Sequence, residues 1–114
     1  MKASNLFASV ALAAGFLVTG SALAASAEKG KTAYVKHGCW QCHGFVGQGG
    51  GAGPKLAPDP MALAALVPFL RHTNGAMPPY TEPVLSDGDI ADIQAYLESV
   101  PKPADYKTIP LLRK

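Results

Sequence analysis

Apolar residues recur with different periods along this chain, and the changes of period predict its elements. Residues 6–18 are almost continuously apolar, until Thr19, Gly20 and Ser21 interrupt the run. Over residues 28–36, Gly30, Ala33, Tyr34 and His37 stand at i, i+3, i+4 and i+7, with lysines beside them, which predicts a short helix ended by Gly38. Residues 44–60 are rich in Gly and Pro, show no period and are expected to be loop. Residues 61–72 are apolar and predicted to be helical in pieces, because Pro68 lacks an amide donor and crowds the preceding turn. Met61, at the head of that run, is expected in the core. Loop returns over residues 73–83, where Asn74-Gly75 and Pro78-Pro79 break any regular element. The clearest helix follows. Ser86 can cap it with Asp89 three positions on, Ile90, Ile93, Leu97 and Val100 form its apolar stripe, and Pro101 stops it. No run alternates as a strand would, and no segment repeats, so the reading is all-α.

The first apolar run is better explained as a leader than as a membrane span. Lys2 precedes it, it falls short of the roughly 20 residues a spanning helix needs, and Ala22-Leu23-Ala24 fits a small-x-small cleavage site. Cleavage is expected after residue 24, or as late as 27, where Ala25-Ser26-Ala27 offers a second site. The chain then divides into a leader over residues 1–24, a domain over residues 25–100 and an extended tail over residues 101–114. The processed protein is expected in a periplasm, with no stable membrane insertion.

Length and charge narrow the reading further. A chain of 114 residues holds one domain, and one so small buries only about 60–65% of the surface exposed by its unfolded chain. Its two cysteines stand three apart and cannot staple distant segments, so a large cofactor would have to complete the core. Taking Lys2 from the ten Lys and Arg leaves nine against eight Asp and Glu. Such a balance lacks the basic face that nucleic acid requires.

The chemistry is concentrated in Cys39-Trp40-Gln41-Cys42-His43. Two thiols separated by two residues can reach neighbouring vinyl groups of one porphyrin, and the next residue brings an imidazole to the iron from the same face. Cys-x-x-Cys-His is a covalent haem c signal and far more specific than Cys-x-x-Cys alone. Three rivals fit less well. A Cys39–Cys42 disulfide would close too short a loop to constrain the chain, and a thioredoxin-like pair needs a βαβ context. Zinc needs about four ligands, of which only His37 and His72 could join the cysteines. The glycine run over residues 47–52 loosely fits a dinucleotide fingerprint but lacks the strand before it and the helix after it.

A sixth iron ligand is expected at Met77, whose thioether is held among Gly75, Pro78, Pro79 and Tyr80. The bland alternative is a buried filler methionine. His72, Met61 or an open position are the other candidates.

Taken in order, the short N-terminal helix, Cys39-x-x-Cys42-His43, Gly53-Pro54-x-Leu56, Met77-Pro78 and the amphipathic C-terminal helix resemble a class I c-type cytochrome of the small bacterial periplasmic kind, to about Val100. The resemblance implies a small cytochrome c fold of short helices and loops around one covalent haem. Its N- and C-terminal helices would cross where Gly30 and Tyr34 meet Ile93 and Tyr96. It also implies that the Pro54 carbonyl orients His43. The tryptophan and tyrosine that hold a propionate in larger members have no counterpart, and Arg71 is the one candidate for that task.

The function implied is a single-electron carrier, not an enzyme, with a periplasmic dehydrogenase as donor and an oxidase or another cytochrome as acceptor. One alternative is a cytochrome subunit held tightly in a dehydrogenase complex, with the tail wrapping its partner. Another, of a different class, is a catalytic or gas-binding haem protein with an open sixth site.

Overall fold

The computed structural model describes residues 24–113, so all but the last residue of the expected leader lies outside the described residues. Four α-helices follow in order: α1 (Ala27–Lys36), α2 (Trp40–His43), α3 (Leu63–Arg71) and α4 (Asp87–Ser99). Two 3-10 turns, Tyr106–Thr108 and Pro110–Leu112, lie in the tail. Among the described residues there is no strand, and no helix is long and apolar enough to cross a membrane.

Each long terminal helix starts at a serine cap. The Ser26 hydroxyl accepts from the Lys29 amide at 3.3 Å, and the Ser86 hydroxyl accepts from the Asp89 amide at 3.1 Å, each satisfying a donor the first turn leaves free. The dominant helix–helix contact is α1 on α4. Gly30 makes it possible, because a Cβ there would lie 1.8 Å from the Asp92 carbonyl oxygen. Beside this crossing Tyr34 is wholly buried, its ring tilted against Tyr96 with centroids 5.5 Å apart. The crossing is tied at its end by the Ser26 amide, which donates to the Asp92 carboxylate at 2.6 Å. Ile90, Ile93 and Leu97 of α4 join Ala33, Leu70 and Leu85 in the core.

The third helix corrects one sequence expectation. Instead of breaking at Pro68, α3 runs continuously through it from Leu63 to Arg71. The missing Pro68 amide would have bonded the Ala64 carbonyl, and both residues lie on the exposed side of the helix. Water can satisfy that carbonyl, while the opposite face keeps Leu70 buried. The tail also departs from a purely extended course, since its two 3-10 turns are too short to leave any periodic trace in the sequence.

Candidate cofactor site

The residues of the Cys-x-x-Cys-His segment form a single helical turn. The His43 amide donates to the Cys39 carbonyl at 3.0 Å and the Gly44 amide to the Trp40 carbonyl at 2.9 Å. Residues three and four apart share one face of such a turn, and Cys39, Cys42 and His43 all line the same cavity, of about 920 Å³. Both thiols are free. Burial pushes the Cys39 thiol up to about 11, so the uncharged form is the one this environment favours. A thioether is likewise uncharged.

His43 is buried, with 7% of its surface exposed. Its Nδ1 lies 2.8 Å from the Pro54 carbonyl oxygen. A proton on Nδ1 donated to that carbonyl leaves the lone pair on Nε2 free to bind a metal. Gly53 lets the loop come this close, because a Cβ there would stand 3.0 Å from two atoms of the His43 ring. The loop is folded onto the turn by the Gly49 amide, which donates to the His43 carbonyl at 2.8 Å.

Met77 is half-buried and lines the cavity with Ala76 and Pro78. Thus Cys39, Cys42, His43, Pro54 and Met77, from three separate segments, meet around one space. Leu56, Leu66, Leu70, Leu85, Ile93 and Leu97 supply apolar walls. A cavity of this size and lining is within the range for a large organic cofactor, roughly 300–1,000 Å³. The residues present therefore fit a haem: two thiols, one imidazole with an orienting partner, one thioether and an apolar enclosure.

Other sequence candidates fall elsewhere. His72 is exposed and does not line the cavity, while His37 lines it but meets Tyr80 edge-on at 6.3 Å. Among the described residues no three His, Cys, Asp or Glu side chains gather as a metal cluster, which leaves the zinc alternative without a ligand set. Met61 is not core: it is 46% exposed at the cavity wall, its backbone carbonyl accepting from the Gln94 amide group at 3.1 Å. Arg71 does not line the cavity either. Its guanidinium is engaged by Asp87 and donates to the Tyr80 carbonyl at 2.8 Å, so the lysines of the cavity lining, Lys36 and Lys55, are the cations nearer to hand. Trp40 does not line the cavity; it packs against the core and stacks on Phe45, with centroids 4.6 Å apart.

Three tyrosine hydroxyls were not anticipated as part of the site. Tyr34 donates to the Gly44 carbonyl at 2.8 Å, Tyr96 to the Phe45 carbonyl at 3.0 Å and Tyr80 to the His37 carbonyl at 3.1 Å. They come from α1, α4 and the Met77 loop, and they hold the backbone on both flanks of the Cys39–His43 turn. Burial raises all three phenols above their ordinary value, and for Tyr34 the neighbouring Cys39 and Tyr96 add to it. Nothing in sequence spacing reveals which carbonyl a distant hydroxyl will meet.

A family model described as "Cytochrome C oxidase, cbb3-type, subunit III" matches residues 25–97. No curated protein and no solved structure matches the chain.

Proposed function

Because the chain belongs to the Cytochrome C oxidase, cbb3-type, subunit III family, and so is a c-type cytochrome of the small all-α cytochrome c fold, we propose that it is a periplasmic single-electron carrier with one covalent haem c. Electron transfer through haem c is the common property of such domains. The finer reading rests on one observation: Cys39, Cys42, His43 and Met77 line a single cavity, with His43 Nδ1 held by the Pro54 carbonyl.

In this reading Cys39 and Cys42 would carry the haem through thioether links, and His43 and Met77 would hold its iron. When bound, the haem iron accepts and returns one electron. The chain's own residues do the rest. Pro54 keeps the proton on Nδ1 of His43 and so keeps Nε2 a ligand. A thioether together with an imidazole would favour the reduced iron and raise the potential, and the leucine and isoleucine walls of the cavity would act in the same direction. With an imidazole and a thioether both given to the iron, no open position would be left for a substrate, which fits a carrier rather than an enzyme.

A dehydrogenase is the proposed donor and an oxidase or another cytochrome the acceptor; the oxidase in the family's description supports the latter. Docking for such transfer is weak and of small area. Export by a cleaved leader completes the proposal. Cleavage after Ala24 would retain Ser26, which caps α1 and ties it to Asp92.

A second reading, a cytochrome subunit held tightly in a dehydrogenase complex, draws on the tail, where Leu111 is 91% exposed and Leu112 and Tyr106 are also open to solvent. Co-purification with a dehydrogenase at low micromolar concentration would favour it, and a clean monomer on a sizing column would remove it.

The decisive experiment is the optical spectrum of the exported protein, oxidised and reduced. A covalent haem c spectrum with a Met-S–Fe(III) band that disappears in Met77→Ala is the expected result. A chain that matures without covalent haem would sink the proposal. A high-spin spectrum with rapid carbon monoxide binding would instead support an open sixth site.

A further inference from the structure

We propose that Tyr80 is the positioning residue that holds the Met77 loop closed over the cavity, an inference that rests on Met77 being the sixth ligand. Residues 73–83 contain no helix, so the loop lacks a hydrogen-bonded ladder of its own. Apart from the short turn in which the Thr81 carbonyl accepts from the Val84 and Leu85 amides, its hydrogen bonds to the rest of the fold converge on one residue. The Tyr80 amide donates to the Leu70 carbonyl at 2.8 Å, and the Tyr80 carbonyl accepts from Arg71 Nη1 at 2.8 Å. Its hydroxyl crosses the fold to the His37 carbonyl at 3.1 Å, two residues before Cys39, while its ring meets His37 edge-on. Arg71 is itself fixed by Asp87, at the start of α4. The tether therefore reaches the end of α3, the start of α4 and the entrance of the haem-binding turn.

Met77 is joined to this anchor by Pro78 and Pro79, whose rings fix φ and leave the connection stiff. Movement of the Met77 backbone away from the cavity would then carry Tyr80 with it and break the hydroxyl bond to His37. That bond exists only in the closed loop, so it sets the small fraction of molecules in which the loop is open. Removing one such bond shifts a local equilibrium by about 5-fold. An added ligand that competes with Met77 binds the open form, so its apparent affinity rises in proportion to that fraction.

The test uses the haem-loaded full chain in its oxidised form, titrated with imidazole and followed by its optical spectrum. Tyr80→Phe is expected to bind imidazole about 5-fold more tightly than the parent protein, from the loss of one hydrogen bond. Ser86→Ala serves as the matched control. It removes a cap from α4, lowers thermal stability by a similar amount and is expected to leave imidazole affinity unchanged. Equal affinity in Tyr80→Phe and the parent would overturn the proposal, and so would an equal gain in both variants, which would report general loosening. If the parent lacks a band that Met77→Ala abolishes, the ligand reading itself fails, and that is visible before any titration begins.

Discussion

The two sides of the cavity are built by different means. On the His43 side, the two thiols and the imidazole sit on one helical turn whose own backbone bonds position them. The Pro54 carbonyl, the Gly49 amide and the hydroxyls of Tyr34 and Tyr96 then fix that turn from outside. The Met77 side has no such turn. It is a loop with prolines, anchored chiefly through Tyr80, and Met77 is less buried than His43. A group placed by local helical geometry needs little help from the rest of the fold. A group on an irregular loop depends on a few long-range bonds, each of which counts for more.

Damage to what the two sides share should cost most. Gly30→Val puts side-chain atoms where the Asp92 carbonyl lies, at a packed crossing with no room to relax. We expect about 3 kcal/mol or more of lost stability, read as a large fall in the Tm of the haem-loaded protein. A loss below ~1 kcal/mol would show that α1 and α4 can slide apart without consequence.

Tyr34→Phe damages the His43 side alone. It removes one of two donors to the Gly44 carbonyl, which keeps the Gly47 amide at 3.1 Å, at a cost of about 0.5–1.5 kcal/mol. Denaturant unfolding measures it. Unlike Tyr80→Phe, this variant should not loosen Met77, so the imidazole titration separates the two sides.

The smallest effect is in the pH profile. Burial holds the Tyr34, Tyr80 and Tyr96 phenols above their ordinary value of 10.0, so folding favours the protonated hydroxyls. Their contribution is fully present below about pH 10 and is lost as pH rises through the raised folded values, because the unfolded chain releases those protons first. Tm measured from pH 9 upward should fall above pH 10, and less steeply in Tyr34→Phe. An identical slope in both would remove Tyr34 from this account.

The two sides also differed in how legible they were. Cys39, Cys42 and His43 could be read as a site because all three lie within five residues, where helical geometry alone decides proximity. The caps at Ser86 and the stripe of Ile90, Ile93 and Leu97 were legible for the same reason. Pro68 was misjudged, since a local rule could not know that the freed carbonyl would face solvent. Met61 and Arg71 were misplaced because burial and ion pairing depend on neighbours far away in sequence. The proposed leader over residues 1–24 rests on the sequence pattern.

The all-α character, the order of the helices and the grouping of two thiols and an imidazole at Cys39–His43 were legible in the sequence, because each depends on contacts a few residues long. Pro54 and Met77 were already expected there from the sequence; it took the folded chain to show that three tyrosine hydroxyls converge on that segment. Those meetings span ten to fifty residues of chain, and their partners are backbone carbonyls, which carry no side-chain signature to read.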